Sequence, residues 1–487
     1  MIPTRLIACL TGAFALGGLT QCTPAAPEQD PVDGTQGTAP ELEEGQASLH
    51  HGGMGKRLFS QAFPNTNGRS CATCHVHEDS TALRPEHVRA LFASNPADPL
   101  FNRIDADDPN AAVPTYEHLQ KGLVRVVITL PANMDVIDVQ GHVVTPGDRK
   151  ISVWRGVPSI QDLALTGPFF QLDGRESNLE DQAQAAITSH SEGAAVPRNQ
   201  LRQVADFQRG EFTSARARFV SDLSNAGVPL ARIPLPEDFM WLTPQEQRGR
   251  EVFKVGCEPC HGGPTLSRIS TPAMRELASH FPVTKADGNV LFTHVPGAGP
   301  VPMQAPRSPP DILNIGFASF SYLGQVGLFP ALFNADLELP RYRFRFYTDG
   351  TRQHPVTDLP PIPVTASGAP YDPTPAVDES GAPIVGPNLF PQWFSTDPGR
   401  ALITGNPLDF EAFDIPTLRG IARTAPYYHD NSSGSLEDVV DIYSQFVLPF
   451  TAPLNLPPVH PPETPGGPPE SLNPTQKQDL LRFLQQL

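Results

Sequence analysis

At 487 residues, 39% of them hydrophobic, the chain is long enough for two or three domains with real cores. A formal net charge of −17 disfavours nucleic acid or an anionic membrane surface as a partner, and beyond the N-terminus no apolar run is long enough to span a bilayer. Proline, at 56 residues against a usual share of about 5%, implies much extended, irregular loop.

Residues 1–22 read as a secretory signal, with Arg5 as the charged region and Leu6 to Leu19 as the apolar core. The segment ends in Leu19-Thr20-Gln21-Cys22, which is similar to a lipoprotein cleavage box and predicts a periplasmic protein anchored through a lipid on Cys22. Ordinary cleavage, giving a soluble periplasmic protein, is the alternative. Residues 23–47, rich in Pro, Ala, Gly and acids, fit a disordered tether. A first domain is expected over 48–226. It opens with a short helix carrying Leu49, Leu58 and Phe59 and broken by Gly52, Gly53 and Gly55, then reaches Cys71-Ala72-Thr73-Cys74-His75. Within it, 76–150 is an acidic, Pro-punctuated insertion whose β-branched run Leu123 to Leu130 predicts a short buried strand. Asn178 can cap a helix beginning Leu179-Glu180-Asp181, with acids in the first turn where the helix dipole favours them, running to about Thr188.

A linker over 227–238 precedes a second domain, 239–487. Thr243-Pro244-Gln245-Glu246 combines an N-cap, a first-position proline and a capping box, so a helix should run from there into Cys257-Glu258-Pro259-Cys260-His261. Residues 262–400 read as a second loop-rich insertion. Ser435 then caps a helix with Leu436, Val439, Val440, Tyr443 and Val447 on one face. A last helix, boxed by Asn473 and Gln476, presents Leu480, Leu481, Leu484 and Leu487 to the helix that enters the second Cys motif.

The duplicated C-x-x-C-H carries the chemistry. Two thiols three positions apart on one turn can each form a thioether to a porphyrin edge, and the following His then reaches the iron through an imidazole nitrogen. A thioredoxin-like pair is not usually followed by His in duplicate, and a zinc site would want a second pair of thiols close by. Two covalent haem c groups are therefore expected, on Cys71, Cys74 and His75 and on Cys257, Cys260 and His261. The remaining cysteines, Cys9 and Cys22, lie in the targeting segment, so no disulfide is left to form. Haem attachment itself points outside the cytoplasm.

With these motifs, the block Phe169-Phe170…Asp173-Gly174-Arg175…Leu179-Glu180-Asp181-Gln182, and the block Pro416-Thr417-Leu418-Arg419…Ala425-Pro426-Tyr427-Tyr428-His429-Asp430, the chain resembles the bacterial di-haem cytochrome c peroxidase and MauG family over the core of both domains. The resemblance implies a mainly α fold of two cytochrome c-like haem domains, with long Pro-rich loop insertions and little β. It makes His75 and His261 the proximal iron ligands, and puts Gln182 and Glu192, ten positions apart, on the distal face of the N-terminal haem. There a carboxylate can move the proton of hydrogen peroxide from the inner to the outer oxygen. It also puts Tyr443, fourteen residues after His429, where the peroxidases place a Met ligand to the C-terminal haem and MauG a Tyr. A phenolate favours ferric and higher states.

Three departures accompany it. Leu172 replaces the family's inter-haem Trp, leaving direct tunnelling or another aromatic such as Phe170, Trp154 or Tyr427. Gly156 replaces the Asn ligand of a bridging calcium, leaving the carbonyls of Thr424 and Pro426. No distal His matches, which predicts an open N-terminal haem unless His190 caps it. The implied function is reduction of hydrogen peroxide at the N-terminal haem. Electrons would come through the C-terminal haem from a small cytochrome c or copper protein, or from an oxidised side chain of a protein substrate. A plain di-haem electron carrier, and an oxygen-dependent di-haem enzyme distantly similar to rubber oxygenases, are the alternatives.

Overall fold

A computed structural model describes residues 53–167, 169–268, 292–295, 299–302, 312–314, 339–359, 394–448 and 470–487. The signal, Cys22, the tether, Leu49, Gly52 and much of the second insertion lie outside them. No helix among the described residues is long and apolar enough to cross a membrane. Residues Ser48–Leu487 pack as one compact unit.

Around each Cys motif the fold is helical. Helix α1 (residues 53–60) enters the first motif and crosses a later helix, α5 (Arg198–Arg209). Gly53 and Gly55 do not break α1, as the sequence suggested. A Cβ on Gly55 would lie 2.1 Å from the Gln203 carbonyl oxygen, so this glycine lets the two backbones touch. After α2 (Pro85–Ser94) and a helical turn, α3 (Leu163–Thr166), comes α4 (Leu179–His190). Its cap is the expected one: Asn178 accepts from the Asp181 N–H. Helix α6 (Ala215–Asn225) closes the first half.

The second half repeats the device. Helix α7 (Pro244–Gly256) has the reciprocal Thr243–Glu246 box and runs into Cys257. After a helical turn, α8 (Ala401–Thr404), come α9 (Leu436–Ile442), capped by Ser435, and α10 (Pro474–Leu484), boxed by Asn473 and Gln476. Leu480, Phe483, Leu484 and Leu487 join Phe253, Leu436 and Val440 in the core where α10 crosses α7, while Leu481 is only partly buried. Each fully buried Leu or Phe contributes about 1.5–3 kcal/mol.

The insertions are not simply loops. Strand β1 (Leu123–Thr129) pairs antiparallel with β3 (Lys150–Gly156), with Val126 opposite Val153. It is less buried than its unbroken apolar run suggested, since Val127 faces solvent. Strand β2 (Met134–Ile137) comes from the first insertion. It pairs with β7 (Arg343–Tyr347) of the second, and β7 pairs with β8 (Pro355–Leu359). Strands β4 (Phe292–Val295) and β5 (Gly299–Pro302) pair with each other, and β6 (Ile312–Asn314) pairs with β9 (Ala412–Asp414). The three-stranded sheet rests with β1 and β3 on one apolar core containing Met134, Ile151, Phe344, Phe346 and Phe410. Asp135, buried, receives Arg149 from its own insertion and Arg352 from the other.

A buried ion cluster also joins the halves. Arg155 donates to Asp173 at 2.6 Å and, through two nitrogens, to Asp397 at 2.6 and 3.0 Å, all three carrying almost no exposed surface. Burial pushes the Asp173 carboxyl up, but Arg155 and Arg175 outweigh it and bring its pKa down to about 2. The folded value lies below the unfolded one, so this stabilisation is present above about pH 4, amounts to about 2 kcal/mol, and is lost as the pH falls through about 2. At neutral pH, Asp397→Ala would leave two of the buried Arg155 nitrogens unpaired, with only Asp173 remaining as partner. It is expected to cost about 3 kcal/mol by denaturant unfolding, against less than about 1 kcal/mol for the exposed Asp206→Ala.

Candidate haem sites

Both motifs close the turn that thioether attachment needs. The His75 N–H donates to the Cys71 carbonyl at 2.9 Å and the His261 N–H to Cys257 at 2.8 Å. None of the four cysteines is in a disulfide, and burial pushes their thiols up, Cys71 and Cys257 to about 12 and Cys74 and Cys260 to about 11.

Each imidazole is set the same way. His75 Nδ1 lies 3.0 Å from the Thr81 carbonyl, and His261 Nδ1 lies 3.1 Å from the Pro416 carbonyl. A carbonyl can only accept, so Nδ1 carries the proton and Nε2 keeps its lone pair for a metal. Burial lowers both imidazoles, His261 to about 4, which favours the neutral form that a metal ligand needs.

The two seats are related by an internal repeat that a reading of the blocks one by one overlooks. A β-bridge joins Phe170 to Glu176, and another joins Tyr427 to Ser433. The following residues correspond pairwise: Leu172 with His429, Asp173 with Asp430, Gly174 with Asn431, the cap Asn178 with the cap Ser435, and Leu179-Glu180-Asp181 with Leu436-Glu437-Asp438. Upstream, Gly156-Val157-Pro158 matches Asp414-Ile415-Pro416, whose last carbonyl orients His261. The signal was present as Asp-Gly or Asp-Asn followed, five to seven residues on, by Leu-Glu-Asp.

The equivalent helices differ where chemistry would be decided. Tyr443, immediately after α9, corresponds to Ala186 on α4. Tyr443 begins a π-helical turn, Tyr443–Val447, so the face predicted for a continuous α-helix is interrupted there. Its phenol packs against the core that holds Cys257 and α7, and is held well above the ordinary tyrosine range by burial and by the proximity of Cys257 and Cys260. Such a phenol deprotonates only toward a strong cation, as a ferric iron would be.

On the N-terminal side, Gln182 is half-buried on α4, and its Oε1 is buried with no hydrogen-bond partner. Glu192 has a left-handed backbone with φ of 53° and is exposed, and its Oε2 accepts from Asn67 Nδ2 at 3.1 Å. Asn67 also donates to the His190 carbonyl, and its N–H to the Ser191 carbonyl, which ties the exit of α4 to the loop before Cys71. His190 ends α4 close enough for its charge to act on His75.

Cys71, Cys74, His75, Cys260 and Tyr443 are each half-buried. Beside the second motif, Arg419 is gripped by Glu237 through two bonds of 2.8 Å, donates to the Pro264 carbonyl, and keeps Nη1 buried without a partner. That unspent donor suits an anionic substituent such as a haem propionate. The donor set fits haem c at both seats.

Comparison with known proteins agrees in kind. The cytochrome c551 peroxidase of Nitrosomonas europaea is 42% identical over 50 residues, 10% of this chain, and the match spans 15% of that protein's length. The chain resembles the bacterial di-haem cytochrome c peroxidase and MauG family. Among solved structures, a MauG-like protein associated with microbial copper homeostasis aligns over 90% of this chain and 88% of its own, at 17% identity and a TM-score of 0.36. The diheme peroxidase BthA of Burkholderia thailandensis E264 aligns over 89% and 85%, at 13% identity and a TM-score of 0.37. No family model matches the chain. At the position of the family's calcium ligand, a Cβ on Gly156 would lie 2.2 Å from Asn431 Oδ1, so the Asn431 amide takes up that space; its Nδ2 donates to the Lys121 carbonyl at 3.0 Å.

Proposed function

We propose that the protein is a periplasmic di-haem c oxidoreductase, anchored through Cys22, with haem domains over 48–226 and 239–487. It would reduce hydrogen peroxide at the N-terminal haem with electrons relayed through the C-terminal one. The observation that supports this best is the asymmetry of the repeat, Ala186 where the second half has Tyr443. A methyl group cannot ligate iron, so one distal face is left for a small oxidant while the other is closed.

Haem c, when bound, supplies the iron chemistry that splits an O–O bond. The residues of the chain do the rest. His75 and His261, neutral and fixed by carbonyls, would each hold an iron through Nε2. Gln182, with its buried oxygen unpartnered, offers an acceptor to peroxide or water. Glu192 takes the proton from the inner peroxide oxygen and returns it to the outer one, so that water leaves. Two electrons and two further protons complete reduction to water. The electrons come from a small cytochrome c or copper protein, or from the side chain of a protein substrate. Tyr443 favours the protein-oxidising branch, because a phenolate ligand stabilises oxidised iron.

The test is the spectrum of the diferric protein before and after one equivalent of peroxide. A high-spin ferric signal at rest that peroxide abolishes carries the proposal. Two low-spin signals that ignore peroxide would make the protein an electron carrier, a reading that the exposure of Glu192 and the nearness of His190 to His75 favour. Tyr443→Met is expected to raise the midpoint potential of one haem and leave the other unchanged, read by redox titration. Equal potentials before and after would remove Tyr443 from the ligand set.

A further inference from the structure

The repeat places two reciprocal hydrogen bonds between the haem seats. The Gly156 N–H donates to the His429 carbonyl at 2.7 Å, and the Asp414 N–H, at the equivalent position, donates to the Leu172 carbonyl at 2.8 Å. Gly156 lies three residues before Ser159, whose Oγ is 2.9 Å from Thr81 Oγ1, and the Thr81 carbonyl orients His75; Asp414 lies two residues before Pro416, which orients His261. The two bonds are alike in geometry and differ in the side chain carried by the accepting residue. The Leu172 side chain is saturated and half-buried. The imidazole of His429 is stacked on Phe413, ring centroids 4.2 Å apart and 21° from parallel, and both side chains are buried. Phe413 precedes Asp414 on the very strand that holds His261.

We infer that electrons pass between the two haem sites through the Gly156–His429 hydrogen bond and the His429–Phe413 stack, not through position 172. The route is continuous: His261 Nδ1 to the Pro416 carbonyl, back along Ile415 and Asp414 to Phe413, across the stack to His429, through its carbonyl to Gly156, along Val157 and Pro158 to Ser159, and across the Ser159–Thr81 hydroxyl contact to the Thr81 carbonyl and His75. One electron leaves the C-terminal haem and arrives at the N-terminal haem; no atom or proton travels with it. Gly156 belongs to this contact because a side chain there would collide with Asn431 and lift the strand off His429. The loss of an oxidisable ring at 172 is then tolerated, because the two motif histidines are already joined by a path containing a π stack.

The inference rests on both haems being seated, not on peroxide being the substrate, so its test uses no peroxide. A single electron is delivered to the diferric holoprotein by pulse radiolysis, and its redistribution is followed in the Soret bands of the two haems. Phe413→Leu keeps the backbone bonds and removes the ring; it is expected to slow the exchange about tenfold, the equivalent of about 1.4 kcal/mol of barrier. Leu172→Ala is expected to exchange at the wild-type rate. A Phe413→Leu protein that exchanges as fast as wild type overturns the inference, and so does a slowed Leu172→Ala protein. If Phe413→Leu does not assemble as holoprotein, His429→Leu, which removes the other ring of the stack and keeps the carbonyl that meets Gly156, decides: a slowed rate carries the route, a wild-type rate ends it.

Discussion

Glu192→Gln is expected to lower peroxide turnover by about 10²- to 10³-fold, some 3–4 kcal/mol of barrier, while both haem spectra stay those of the wild type. Glutamine keeps the shape of the side chain and can still meet Asn67 Nδ2 through its amide oxygen, so the αL turn at 192 and the tie from α4 to the first Cys motif survive. What it loses is the ability to take a proton at one peroxide oxygen and return it at the other. The measurement is stopped-flow reduction of peroxide by a reduced small cytochrome, with the resting absorption spectrum as the control for haem seating. Gln182→Ala should cost less, since it removes an acceptor and moves no proton. Equal turnover by Glu192→Gln and wild type would take the carboxylate out of the reaction and leave the electron-carrier reading standing.

Much of this site is legible in the chain because its signals are local. The C-x-x-C-H spacing fits a single turn, and the caps Asn178, Thr243, Ser435 and Asn473 each act on an N–H two or three residues away; all four recur in the structure as expected. What escaped is non-local. Arg155 meets Asp397 across 242 residues, and nothing in either segment names the other. Strand β2 reads as loop because its partner β7 lies in a different insertion, and a strand of four residues has too short an alternation to stand out. Gly55 looks like a helix breaker by propensity, yet the close approach of Gln203 overrides propensity.

The internal repeat is a different kind of miss, since its signal was in the sequence. Asp173-Gly174 and Asp430-Asn431 stand in front of identical Leu-Glu-Asp helix starts, but each block had been matched outward to a family and not to the other. Matched to each other, they turn isolated substitutions into a comparison at fixed geometry. Ala186 against Tyr443 distinguishes an open from a closed distal face. Leu172 against His429 distinguishes a saturated from a conjugated neighbour. The departures from the family pattern therefore concern which half does what, whereas the placing of each histidine by a backbone carbonyl is common to both halves.

Gly249→Ala is expected to destabilise the protein by about 3 kcal/mol or more, although alanine in a helix is worth about 1 kcal/mol over glycine. Gly249 lies inside α7 at its crossing with α10. A Cβ there would stand 1.9 Å from the Asp479 carbonyl oxygen, 2.6 Å from its carbon, and 2.9 Å from the Phe483 Cβ. The first two are backbone atoms, so no rotamer change relieves the overlap. The helices must part, opening the packing of Phe253 on Phe483, whose rings are 5.2 Å apart. They also strain the pair Arg248–Asp479, now held by bonds of 2.7 and 3.0 Å. Because α7 ends at Cys257, the displacement is transmitted to the second haem seat. Gly53→Ala, also in a helix but with open space around the glycine, serves as the control and should be neutral or stabilising by up to about 1 kcal/mol. Urea unfolding of the two holoproteins, followed at the Soret band and in the far ultraviolet, measures both values. Two variants of equal stability would mean that α7 and α10 do not cross at Gly249, and the C-terminal seat would then have to be built on some other packing.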